Sequence, residues 1–236
     1  MLLRLGSNLL DRPVECAVYG GCLDLKAQHA LRCAPGEATR GHNAIRDQVL
    51  GLASLGDPTS VSEPRGLVHS RPGLRPADVL SSAAFCRLTA LDVGVTNPGS
   101  AGSGVDACAS MVSDKVEKYG PVLEELQDIG VDYTPLVWSS WGRPHEDAVA
   151  ALQSMAESGA RRRGGLDAKA LASRTASLIG VQIWKRAARM FSVCAPPMAD
   201  ADTQALLDAA VLSACQVSGK VDDWGCSDGS ESGETE

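Results

Sequence analysis

The segment Leu88-Thr-Ala-Leu-Asp-Val-Gly-Val-Thr96 constrains the fold more than any other stretch of the chain. It is apolar and β-branched over most of its length and stops at the turn Asn97-Pro98-Gly99, so it reads as a strand. One residue is out of character. Asp92 sits in the middle of this strand, where an ionised carboxylate carries a desolvation cost unless it is paired, hydrogen-bonded or bound to a metal.

The remaining elements place a sheet around that strand. Residues 42–55 have Ile45, Val49, Leu50 and Leu52 near helical spacing and are closed by the Gly/Pro/Ser-rich stretch that starts at Gly56. Short strands are expected at 66–70 and 76–81, and a further strand at 131–138. Helices are expected at 104–128, with a break at or near Pro121, and at 143–158, 166–193 and 201–217. Helix, strands, helix, strand and a helical C-terminal segment describe an α/β (α+β) fold, a small mixed sheet flanked by helices.

Composition narrows the function classes. The 236 residues, 44% hydrophobic and 22% charged, suit a folded core. Aromatics are only 4%, which argues against an RNA-recognition platform built on stacked rings. No apolar run approaches a membrane span, and the first residues lack the pattern of a secretory signal, so a protein that is neither membrane-bound nor secreted is expected. The net charge of −7 is concentrated at one end: from Gly219 onward six acids face Lys220 alone, leaving −2 for the rest. That acidic, Ser/Gly-rich tail over 218–236 is expected to be disordered. Elsewhere Arg161, Arg162 and Arg163 are consecutive, and Lys185, Arg186 and Arg189 recur together, which leaves room for local basic patches.

Asp78, in Arg75-Pro-Ala-Asp78, lies fourteen residues before Asp92 on the preceding expected strand. If the loop over 82–87 joins the two strands as a hairpin, Asp78 falls opposite the Asp92 region on one face. Two converging carboxylates offer hard oxygen ligands for Mg²⁺ or Mn²⁺, which polarises a phosphodiester and acidifies an attacking water. The plainer alternative is that Asp78 caps a turn and Asp92 pairs with a surface Arg. Glu63, just before the first strand, is a candidate third acid.

Near the N-terminus, Cys16, Cys22, His29 and Cys33 supply four soft ligands within eighteen residues, the number a tetrahedral zinc site requires. No Cys-x-x-Cys pair is present there, so a loop with unliganded thiols is the alternative. His42 reads as a residue at the start of a helix without a metal role, and His69 and His145 carry no assigned function.

The ordered set Leu3-Arg-Leu-Gly, Cys16-Ala-Val-Tyr-Gly-Gly-Cys-Leu-Asp24, His29-Ala-Leu-Arg-Cys33, His42-Asn-Ala-Ile-Arg-Asp47, Arg75-Pro-Ala-Asp-Val79, Leu91-Asp-Val-Gly-Val-Thr96, Lys115-Val-Glu-Lys-Tyr119 and Tyr133-Thr-Pro-Leu-Val137 with Gly142 resembles a known family. It is the restriction-like endonuclease region, with its preceding zinc knuckle, of non-LTR retrotransposon polyproteins; the resemblance covers about residues 1–190. It implies a restriction-endonuclease-like, PD-(D/E)xK-type core in which Asp78 and Asp92 are the metal-binding acids. The implied activity is metal-dependent nicking of DNA, by an enzyme of retroelement origin acting in the nucleus or otherwise the cytoplasm. The implied organisation is a knuckle-like module over 1–40, a nuclease core over 41–160, a helical segment over 161–217 and the tail. Tyr19 stands where the family's second knuckle Cys belongs, with Cys22 three residues on as a substitute. Gly94 stands where many nucleases of the broader fold carry their lysine, which leaves Lys115 or Lys118, with Tyr119, as candidates from the following helix. A non-catalytic remnant that binds nucleic acid or another protein is the alternative reading.

Overall fold

The computed structural model describes residues 8–100 and 106–195. Its N-terminal part is a two-stranded antiparallel hairpin, β1 (Val14–Glu15) and β2 (Cys22–Leu23), followed by the short helix α1 (Ala30–Cys33). Helix α2 (Pro35–Gly56) leads to a four-stranded mixed sheet in the order β3 (Val61–Ser62), β4 (Val79–Ser81), β5 (Thr89–Thr96) and β6 (Asp132–Ser139). The first two neighbours pair antiparallel, and β5 pairs with β6 in parallel through the crossover helix α3 (Ala107–Asp128). Helices α4 (Glu146–Arg163) and α5 (Ala168–Cys194) follow. The chain is thus a mixed α/β protein with helices on both faces of the sheet.

Two cores flank that sheet, and the alternation along β5 assigns its residues to them. Leu91 and Val93 pack with Val79, Leu136 and Trp138 against Ile45 and Val49 of α2, Met155 of α4, and Ile179 and Ile183 of α5. Ala90 points the other way, into a smaller core with Tyr119, Val122 and Leu126 of α3. By the same period of two, Asp92 faces α3. Burial on both faces explains why β5 reads as a nearly continuous apolar run rather than an alternating one.

Helices α3 and α5 start at capping aspartates. The Asp106 carboxylate accepts from the Cys108 and Ala109 amides, and Asp167 from those of Lys169 and Ala170. In α4, Glu146 and Asp147 occupy the first turn and Arg161, Arg162 and Arg163 the last, each complementing the helix dipole.

Several expectations are corrected. Residues 66–70 are not a strand: Gly66 has a positive φ of 74°, and the amides of His69 and Ser70 donate to the Glu125 carboxylate instead of to a sheet neighbour. The edge position is taken by β3 instead. Helix α3 is not broken at Pro121. The residue before the proline is Gly120, which has no Cβ to meet the pyrrolidine ring, and Pro121 is exposed, so water can reach the Glu117 carbonyl left without its amide partner. Helices α2 and α4 run uninterrupted through positions 40 and 160, where segment boundaries were expected. In the late cluster, Arg186 is buried and Arg189 pairs with Glu37 at 3.0 Å, so those two do not form an open basic patch. The helix expected at 201–217 and the acidic tail lie outside the described residues. No described helix is long and apolar enough to cross a membrane.

Candidate functional site

Asp78 lies one step beyond the paired residues Val79 and Leu91, which sets it opposite Asp92. Its amide donates to the Leu91 carbonyl at 2.9 Å, so the ladder reaches this position. The Asp78 side chain turns along β5: Oδ2 accepts from the Val93 amide at 2.7 Å, and Oδ1 lies 3.0 Å from His42 Nε2. Asp92 is held from the other side. Its Oδ1 lies 2.7 Å from Lys115 Nζ, and its Oδ2 accepts from the Tyr133 hydroxyl at 2.7 Å. Neither plain alternative describes the pair, since Asp78 spans to the neighbouring strand and the cation beside Asp92 is a lysine from α3.

The lysine reaches Asp92 because β5 carries a glycine two residues further on. A Cβ on Gly94 would come within 2.7 Å of Lys115 Cε and 2.9 Å of Met111 Sδ. The side chain of Lys115 therefore lies across the backbone of Gly94, and its amine also donates to the Val93 carbonyl at 3.2 Å. Lys118 takes a different path, donating to the Tyr119 hydroxyl at 3.0 Å, while Tyr119 donates to the Arg75 carbonyl at 3.0 Å. The Tyr119 and Tyr133 rings pack against each other with centroids 5.2 Å apart, and Tyr133 makes the contact to the acid pair. Glu63 does not join the pair. It is exposed, ion-pairs with Arg46, and lies 3.4 Å from Arg75.

The two carboxyls are tuned in opposite directions. Burial pushes Asp78 up, but the hydrogen bond and charge of His42, the Val93 amide and Lys115 outweigh it and hold the group below the ordinary carboxylate value. At Asp92 burial prevails over Lys115 and Tyr133, and the Asp78 charge adds to it, so this carboxyl is raised. Burial and the adjoining Asp92 carboxylate also push the Tyr133 phenol far above its usual range. Tyr133 therefore acts as a hydrogen-bond donor. The oxygen donors suit a hard divalent cation in kind.

The second cluster is at the N-terminal hairpin. Ligand atoms of Cys16, His29 and Cys33 all lie within 4.8 Å of one another, a group able to hold a metal such as zinc. The two sulfurs are 3.3 Å apart. Burial raises the Cys16 thiol, but the amides of Tyr19 and Val18, with Cys33 and His29, outweigh it and bring the group down to about 6. The imidazole fits only because Gly21 has no side chain, for a Cβ there would sit 2.8 Å from His29 Cε1. Cys22 is not in the group. In the β1–β2 hairpin it alternates with Leu23, and since Leu23 is wholly buried, Cys22 faces solvent.

Sequence reasoning missed His42, although its spacing carried a signal. His42, Ile45 and Val49 follow i, i+3, i+7, and the latter two are fully buried, so His42 shares the inward stripe of α2. Tyr133 carried no such signal, because its approach to Asp92 depends on the β5–β6 register, with Ala90 opposite Tyr133. His145 caps α4, its Nδ1 accepting from the Asp147 amide. No family model matches the chain, and no curated protein or solved structure matches it.

Proposed function

We propose that the protein is a metal-dependent endonuclease that nicks DNA, with Asp78 and Asp92 as the metal-holding acids and Lys115 as the lysine of the site. The observation that carries this reading is the placement of Lys115 over Gly94, which brings one amine to the carboxylate of an acid pair on adjacent strands. A Mg²⁺ or Mn²⁺ held by the two acids would polarise the phosphodiester and lower the pKa of water. Lys115 directs its ammonium toward the charge that grows on the phosphoryl oxygens. Tyr133 and His42 fix the orientation of Asp92 and Asp78. Arg75, half-exposed and tethered through its carbonyl to Tyr119, offers a guanidinium to the phosphate backbone. In the net reaction the oxygen of water bonds to phosphorus and the P–O3′ bond breaks, leaving a 3′ hydroxyl and a 5′ phosphate.

One observation favours the second reading, a non-catalytic module that binds nucleic acid or protein. All four oxygens of the acid pair already have protein partners, as in a purely structural polar network. Conversion of supercoiled plasmid to open circles separates the two. The nuclease reading expects nicking in Mg²⁺ or Mn²⁺ that disappears in Asp92→Asn and Lys115→Ala. A folded wild-type protein that leaves plasmid intact in both metals would overturn it in favour of the second reading.

A further inference from the structure

The three-residue Cys/His cluster is one ligand short of a tetrahedral zinc site, and the end of α5 reaches it. Cys194, the last residue of α5, is fully buried; its thiol lies outside the group of mutually close ligand atoms and has to close in to complete the set. Its carbonyl accepts from the amide of Ala17, the residue next to Cys16, at 2.9 Å. The backbone therefore fixes the end of the helix at the hairpin, independently of any thiol contact.

A second observation points to a ligand at the same place. His29 Nε2 is buried and has no hydrogen-bond partner, a costly state for an imidazole nitrogen unless something else occupies it. Zinc is borderline-soft and takes sulfur and imidazole nitrogen together, so the donor set fits the ion. Two thiolates on one tetrahedral zinc stand about 3.8 Å apart when each Zn–S bond is about 2.3 Å. Cys16 and Cys33, at 3.3 Å, need to part only slightly.

We propose that Cys16, His29, Cys33 and Cys194 form a single tetrahedral zinc site, in which Cys194 takes the place expected of Cys22 and the metal fastens the end of α5 to the N-terminal hairpin. The site joins residues 178 positions apart in the chain, from 16 to 194. Closing so long a loop makes zinc affinity part of the folding free energy, so removal of the metal should loosen the hairpin and the last turns of α5 together. This inference does not depend on the nuclease reading, because neither acid of that site takes part.

The test is zinc X-ray absorption on the full-length protein loaded with one equivalent of Zn²⁺. Wild type should retain about one zinc per chain with three sulfurs near 2.3 Å and one nitrogen near 2.0–2.1 Å. The same shell should persist when Cys22, Cys215 and Cys226 are all replaced by Ser. Cys194→Ser should lose one sulfur and bind zinc more than about tenfold more weakly. If Cys194→Ser fails to fold, the triple variant still decides the matter: a shell with two sulfurs there would overturn the proposal. An unchanged three-sulfur shell in folded Cys194→Ser would overturn it equally, as would a wild type that retains no zinc after gel filtration.

Discussion

Lys115 crosses strand β5 at Gly94 and sets its amine 2.7 Å from Oδ1 of Asp92. The lysine comes from a helix, yet it occupies the space that a side chain at position 94 would fill. Backbone and side chain are thus fitted to each other at the point where the acid pair forms.

Gly94→Ala tests that fit. The new methyl would meet the far ends of Lys115 and Met111, both flexible, so the fold should survive with a small change in melting temperature. The amine, however, would be displaced by an ångström or more. Plasmid nicking should fall on the order of 10- to 100-fold while Mg²⁺-independent DNA binding stays the same. Wild-type nicking by Gly94→Ala would show that the amine's position does not matter.

Asp92→Asn and Lys115→Met should differ in stability although they remove the two halves of one ion pair. The Asp92 carboxyl is raised by burial, so the neutral amide is well tolerated, and Tyr133 keeps an acceptor. Lys115 retains the Val93 carbonyl. Asp92→Asn should cost less than about 1 kcal/mol, whereas Lys115→Met leaves a buried carboxylate without its cation and should cost about 1–3 kcal/mol. Urea denaturation at pH 7 measures both, and a larger loss for Asp92→Asn would contradict the ordering.

The acid pair was legible for a physical reason. An aspartate inside a β-branched strand is an anomaly that a single sequence displays, and hairpin pairing through a short loop is local enough to bring Asp78 opposite it. Contacts between elements far apart in sequence were not legible. Tyr133 reaches Asp92 only through a parallel register across a crossover helix, and the Cys194 carbonyl meets the Ala17 amide only because α5 ends beside the hairpin. The strand expected at 66–70 failed for a related reason: Val68 is buried against α3, but its segment's amides go to Glu125, a partner that apolar patterning does not disclose.

Helix α3 offers a test of local backbone chemistry. In an ordinary helix interior, replacing Gly by Ala stabilises by about 1 kcal/mol. Gly120→Ala should give no such gain, because its Cβ would meet the ring of Pro121. Pro121→Ala should stabilise by about 1–3 kcal/mol by restoring the missing amide bond. Thermal melts of the two single variants and the double variant check this; a gain of about 1 kcal/mol from Gly120→Ala alone would refute the explanation given for the unbroken helix.

Asp57 closes α2 and should govern part of the acid stability. Its buried carboxylate accepts from the Thr59 amide at 2.9 Å and from the Ser82 amide at 2.7 Å, joining the helix end to the loop after β4. Burial pushes the group up, but the hydroxyl of Thr59 and the amide and hydroxyl of Ser82 outweigh it, bringing it from 3.8 to about 2. A carboxyl whose folded value lies below its unfolded one contributes stability above the unfolded value, and that contribution disappears as pH falls through the folded value. The contribution is about 2 kcal/mol near neutrality and is lost between about pH 4 and pH 2. Asp57→Asn should therefore be less stable than wild type at pH 7, and the gap should narrow steadily between pH 4 and 2.5 in urea titrations. A gap that stays constant across that range would mean that the Asp57 charge does not couple to folding.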